Sequence, residues 1–378
     1  MDEIPDSTLD QLAQWTVDQA IAIQQIPAPT FAELARAQYV AAALRALDLS
    51  DVDIDDVYNV FGRLPGAQSG VPGVMIAAHT DTIFAADTDL SIRRDGDLIY
   101  GPGLGDNSVG VAGLLALAKV LRVRGIVPAC DLWFVATTRE EGLGDLGGMR
   151  AAYESLREKV GAVINLEGLA FGHVYHAAIA VRRLKITATT SGGHSWLHFG
   201  RPSATHAIVQ LGARLTSMQP PSSPRTTFNI GMIEGGEAIN AIATNASLWL
   251  DMRSENRTSL ARLESEVRAH ISALQTPELT FTVETVGDRP AGALAPSHPL
   301  VSAALAALDQ LGVRGTLEIG STDANIPLSE GCPAVTVGIT RGGNAHRLDE
   351  YIEVKPIAFG LRQLLALALA TSSAAGKR

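Results

Sequence analysis

Val74-Met75-Ile76-Ala77-Ala78-His79-Thr80-Asp81 is an unbroken apolar run that stops on an imidazole and a carboxylate. The run is too short for an ordinary helix and does not alternate, so it reads as a strand covered on both faces. Such strands lie inside parallel or mixed α/β sheets, which keep their ligand sites beyond the strand ends. Working outward, Asp131-Leu132-Trp133-Phe134-Val135-Ala136-Thr137 and Ala162-Val163-Ile164-Asn165-Leu166 repeat the pattern. Helical stretches near 107–122 and 149–159 separate the runs, as βα alternation requires. A capping box of Thr30 and Glu33 is expected to open a helix over 34–47.

The style changes after about Ala180. Residues 182–190 alternate apolar and polar, as a half-exposed strand does. A helix at 206–218, a strand at 246–252, a helix at 259–274 and a strand at 279–286 follow, in an α+β manner. Arg289-Pro290-Ala291-Gly292-Ala293-Leu294-Ala295-Pro296 reads as a linker. The α/β style then resumes with a helix at 300–311, a strand at 334–337 and a helix at 355–369, and the tail from Thr371 reads as frayed. The expected division is a first domain in two parts, 1–180 and 289–378, with 181–288 inserted.

At 378 residues the chain is too long for one ordinary core. Its 46% apolar and 19% charged content is that of a well-buried protein, and a net charge of -10 argues against a nucleic-acid partner. Cys130 and Cys332 adjoin apolar segments without ligand spacing and read as buried free thiols of a reducing compartment. The acidic opening Met1-Asp2-Glu3-Ile4-Pro5-Asp6 lacks the order of a secretory signal, and the apolar run 109–118 is cut by Lys119 short of a membrane span. A soluble cytoplasmic protein is expected.

Five polar clusters border the apolar runs: His79-Thr80-Asp81, Gly105-Asp106-Asn107, Glu140-Glu141-Gly142, Asn165-Leu166-Glu167 and Ala345-His346-Arg347. Imidazole mixed with carboxylate suits divalent cations, and adjacent glutamates beside a buried strand repel unless a cation holds them. Singly, each has a plain alternative: His79 and Asp81 could close a strand, and Asp106 could cap a helix. Gly142-Leu143-Gly144-Asp145-Leu146-Gly147 imitates a dinucleotide loop, but its flanking carboxylates would crowd a pyrophosphate. His194 and His198 have helical zinc spacing without a glutamate between them. His173 and His176 read as surface or supporting residues, and His206, His270 and His298 as ordinary surface.

As a set, in order and spacing, these clusters resemble the dinuclear zinc exopeptidases and deacylases. That family includes aminoacylase, glutamate carboxypeptidase, acetylornithine deacetylase, succinyl-diaminopimelate desuccinylase and the tripeptidases. The resemblance implies an α/β zinc-exopeptidase-like catalytic domain, helices around a mixed sheet, with an inserted α+β lid and dimerisation domain. It implies two divalent ions, zinc first, with cobalt or manganese as substitutes. Asp106 would bridge them, His79 and Glu167 would complete one site, and Glu141 and His346 the other. Glu140 would be general base on the bridging water and Asp81 the orienter of His79. His194, in Ser191-Gly192-Gly193-His194-Ser195, would polarise the scissile carbonyl, in its own or a partner subunit. Asn240 and Arg253 would bind the substrate's carboxylate side, and Ser321-Thr322-Asp323-Ala324 would line the site. The implied substrates are a C-terminal peptide or N-acyl amino acid, with a di- or tripeptide as the alternative. A non-catalytic relative would have lost ligands that are all present here. Two features depart from the pattern: Asn107-Ser108 stands where an acidic residue and a lysine are common, and Glu167 in place of aspartate leans toward the carboxypeptidase and deacylase branches.

Overall fold

The structure, a computed structural model, describes residues 6–375, so the acidic opening 1–5 and residues 376–378 lie outside the described part. The chain forms two compact units, 1–178 with 292–378 and 179–291.

In the first unit nine strands form one mixed sheet. Its order is Ser50–Ile54, Val60–Leu64, Leu132–Thr137, Gly73–His79, Val160–Leu166, Ala334–Val337, His173–Ala178 and Gly292–Ala293, with Thr316–Gly320 also paired to His173–Ala178. The four strands from Leu132–Thr137 to Ala334–Val337 run parallel. All but Gly161 of their residues are buried, which is why they read as continuous apolar runs. Val74, Ile76, Phe134, Ile164 and Val335 pack under the long helices on one face, while Met75, Ala77, Val135, Val163 and Ala334 pack under shorter ones on the other. Strand periodicity then carries His79, Thr137, Asn165 and Thr336 onto that second face.

The second unit is a four-stranded antiparallel sheet, in the order Thr226–Gly235, Asn245–Ser254, Ala180–Thr190, Leu279–Arg289. Helices Ala204–Leu215 and Arg257–Ser272 cover one face, with Ile186, Leu248, Ile208 and Val267 at the contact.

Several expectations need correction. Thr226–Gly235 is an edge strand exposed over its outer half, and it carries too little alternation to be legible in the sequence. The expected linker is ordered: Leu279–Arg289 extends into it and Gly292–Ala293 joins the large sheet. The tail from Thr371 continues as helix through Ala375, because helix Ile357–Ala375 buries Thr371 and Ser372, and Ser372 Oγ accepts the Cys130 N–H; the rest of that expectation lies outside the described residues. Helix Leu34–Ala46 has no capping box, since Glu33 accepts from Phe31 and Thr30 is engaged elsewhere. His298 is no plain surface residue; its Nδ1 accepts from Leu300 N and caps helix Pro299–Asp309. Both cysteines are buried and free. Helices Leu104–Val123 and Ile357–Ala375 are long and apolar enough to cross a membrane, yet 89% and 56% of those stretches are buried in the protein. Lys119 does not end the first; its Nζ sits 4.8 Å from the Trp15 ring centre.

Candidate metal centre

The parallel strands deliver their polar ends to one edge of the sheet. His79 is the last residue of its strand, Glu140 and Glu141 follow Leu132–Thr137, and Glu167 follows Val160–Leu166. Asp106 comes from the loop before helix Val109–Val123, whose cap position is Ser108, so the helix-cap reading of Asp106 fails. His346 comes from the turn between short strands Gly342–Gly343 and Tyr351–Glu353.

All five expected ligands meet. Asp106 Oδ1 lies 3.1 Å from His79 Nε2, and Glu167 Oε2 lies 3.6 Å from the same nitrogen. Asp106 Oδ2 lies 3.0 Å from His346 Nε2, which is also 3.0 Å from Glu141 Oε1. Each Asp106 oxygen therefore faces a different histidine–glutamate pair. One ligand atom each from His79, Asp106 and Glu141 lies within 4.8 Å of the others. Two imidazoles and three carboxylates in this layout fit two divalent cations sharing Asp106.

The electrostatics show how strongly these groups interact. Hydrogen bonds to Asp106 and Glu141 push His346 up to about 10. Burial opposes ionisation of Asp106, but contacts with His346 and His79 hold its carboxyl well below the usual range. Burial raises Glu167.

Supporting contacts hold His79 and the loops that carry Asp106, Glu140, Glu141 and Glu167. Asp81 is wholly buried; its carbonyl oxygen lies 3.2 Å from His79 Nδ1, and its carboxylate accepts from Glu140 N and Glu141 N at 2.9 Å each and Thr30 Oγ1 at 2.8 Å. Burial works against the Asp81 anion, yet His79, with the Glu141 and Glu140 N–H groups, leaves its carboxyl below its ordinary value. Asp81 thus contacts the backbone of the glutamate pair as well as His79. Glu350, absent from the sequence reading, accepts from Gly105 N at 2.6 Å, Asp106 N at 2.8 Å and Gly103 N at 3.3 Å. Its own carboxyl is pushed up to about 7, chiefly by burial. Asn107 ties the Asp106 loop to the Glu167 loop, donating to Leu166 O and accepting from Gly168 N, each at 2.8 Å. Gly168 permits that approach, since a Cβ there would stand 2.2 Å from Gly105 O. Only the HRLDE order beyond His346 could have signalled Glu350, and an acidic pair in a turn reads locally as solvated surface.

Asp323 lies in the first unit, and His194, Asn240 and Arg253 sit in the second. His194 is exposed, and its Nδ1 accepts from Trp196 N at 3.2 Å, which leaves the neutral ring's proton on Nε2. His198 does not pair with it as a ligand; its Nδ1 accepts from His194 N at 2.9 Å. Asn240 is exposed beside this loop, with its carbonyl accepting from Ser195 N. Arg253 is partly exposed and paired to Asp251 at 2.7 Å.

Residues 75–370 match the Peptidase family M20/M25/M40. Carboxypeptidase G2 of Pseudomonas sp. (strain RS-16) is 24% identical over 334 residues, spanning 84% of this chain and 78% of that one. Acetylornithine deacetylase of Edwardsiella ictaluri (strain 93-146) is 26% identical over 325 residues, 79% of this chain and 80% of that one. The YXEP protein of Bacillus subtilis, described as a dinuclear metal binding peptidase, shares the fold with a TM-score of 0.70 at 15% identity, over 96% of this chain and 99% of that one. The chain belongs to the peptidase family M20/M25/M40.

Proposed function

We propose that this protein hydrolyses an amide or peptide bond of a small substrate, a C-terminal peptide or an N-acyl amino acid, with two divalent cations. The observation that carries the reading is Asp106, whose two oxygens face separate histidine–glutamate pairs at 3.1 and 3.0 Å. His79, Glu167 and Asp106 would hold one cation, and His346, Glu141 and Asp106 the other. Zinc suits this donor set best. When bound, such a pair polarises a carbonyl and lowers the pKa of water towards neutrality.

Glu140 is the general base. It neighbours the ligand Glu141, its backbone is pinned by Asp81, and neighbouring side chains diverge. It removes a proton from the attacking water as the oxygen adds to the carbonyl carbon. The same proton passes to the amine nitrogen as the C–N bond breaks, help worth about 10² to 10⁴ in rate. His194, with its proton on Nε2, donates to the carbonyl oxygen as negative charge develops there. Arg253 and Asn240 bind the substrate carboxylate, Arg253 through its bidentate fork. The names of the two relatives favour carboxypeptidase-like or deacylase-like substrates. A homodimer in a soluble, cytoplasmic setting, with His194 serving the partner's site, completes the reading. In support, Met232 and Ile233 are exposed on the edge strand Thr226–Gly235.

The test is hydrolysis of a panel of N-acyl amino acids and short peptides after chelation and again after adding zinc, cobalt or manganese. Cleavage next to a free carboxylate, lost on chelation and restored by metal, is expected. Cleavage of no member under any metal would contradict the reading.

A further inference from the structure

Asp323 is wholly buried, and neither the ligand set nor the proton transfers above use it. Its Oδ2 accepts from Thr137 Oγ1 at 2.5 Å, while Oδ1 has no hydrogen-bond partner. An acid placed so costs stability in an apolar interior. Burial accordingly pushes its carboxyl up to about 7. Its neighbours point to what offsets that cost. Thr137 pairs with His79 across adjacent strands, its carbonyl accepts from Thr80 N at 2.8 Å, and its strand leads into Glu140 and Glu141. On the other side, Thr322 Oγ1 lies 3.0 Å from Thr336 Oγ1, which accepts from Asn165 Nδ2 at 3.3 Å. Asn165 Nδ2 also reaches Glu167 Oε1 at 3.4 Å. Thr322 N donates to Asn325 Oδ1 at 2.9 Å, closing the short segment on itself.

We propose that Thr322–Asp323 is a strap across the ends of the parallel strands that fixes Glu167 relative to His79 and the Glu140–Glu141 loop, with Asp323 as a positioning residue acting through Thr137. The proposal rests on the metal-centre reading above. A tether of this kind holds two ligand groups in register, and loss of such outer contacts costs about 10- to 100-fold in metal affinity or activity. The strap acts by hydrogen bonding, so a residue that still accepts from Thr137 keeps it working.

The test compares Asp323→Ala, Asp323→Asn, Thr137→Val and Thr137→Ser in the full chain, by zinc titration calorimetry and by steady-state kinetics. Asp323→Ala and Thr137→Val are expected to lose about 10- to 100-fold in zinc affinity and in kcat with little change in KM. Asp323→Asn and Thr137→Ser keep the tether and stay near wild type, and the Thr137→Val/Asp323→Ala double variant is no worse than the worse single. Thr137→Val is nearly isosteric and keeps the test open if Asp323→Ala does not fold. Asp323→Asn as impaired as Asp323→Ala, additive losses in the double variant, or lowered Tm with unchanged zinc affinity would each overturn the strap. Wild-type protein that takes up no divalent cation would overturn the metal-centre reading and the strap together, whereas wild-type uptake with unaffected variants overturns the strap alone.

Discussion

The sheet edge of the first unit and the His194 loop of the second carry their polar groups in opposite ways. At the sheet edge the functional groups are clamped from behind: Asp81 accepts from Glu140, Glu141 and Thr30, and Glu350 from three backbone N–H groups. In the loop, His194 is held by local hydrogen bonds to Trp196 N and the His198 ring, and stands among Trp196, Phe199 and Ile239, which are 84%, 93% and 105% exposed. Large exposed apolar side chains gathered in one place are what a binding surface would present. The first region is held by contacts within its own chain; under the proposed function, the second would be completed by a substrate or a second copy.

The largest expected effect separates chemistry from ligation inside the clamped region. Glu140→Gln should lower turnover by about 10² to 10⁴ while leaving metal content intact, since it removes a base and no ligand. Glu141→Gln should instead weaken one metal equivalent; equal metal content in the two variants would break the division between these neighbours. His194→Ala comes next, folded and metallated but slower by about 10² to 10³. Mixing it with excess Glu140→Gln chains should restore activity if the loop serves a second copy, because one site of each heterodimer then has both groups. No recovery in verified heterodimers would confine His194 to its own chain. Smaller again, Glu350→Gln should weaken metal binding by about 10- to 100-fold, measured by metal titration, because an amide cannot receive three N–H groups as a carboxylate does. Least of all, Phe199→Ser should shift unfolding free energy by no more than about 0.5 kcal/mol while weakening self-association, and sedimentation across a concentration series reads the second effect.

The same contrast explains what the sequence made legible. Gly73–His79 and its parallel neighbours are buried on both faces, so their apolar runs announced the sheet and placed the polar ends at its edge. Thr226–Gly235 is exposed over half its length and lost that signal. The five candidate ligand positions were visible because each interrupts an apolar run or closes a family pattern. Glu350, Thr30 and Asn107 were not, since their work depends on contacts across 244, 51 and 61 residues of chain. Thr30 shows the limit well: a threonine three before a glutamate reads locally as a cap, and only the fold reveals that its hydroxyl serves Asp81.

Metal content measured together with activity tests the two-cation centre most directly. Protein purified without chelator should carry about two divalent ions per chain, as a paired site with one shared carboxylate requires. Stepwise removal should abolish amide hydrolysis, and zinc should restore it. Metal-free protein with full amidase activity would contradict the centre built around Asp106.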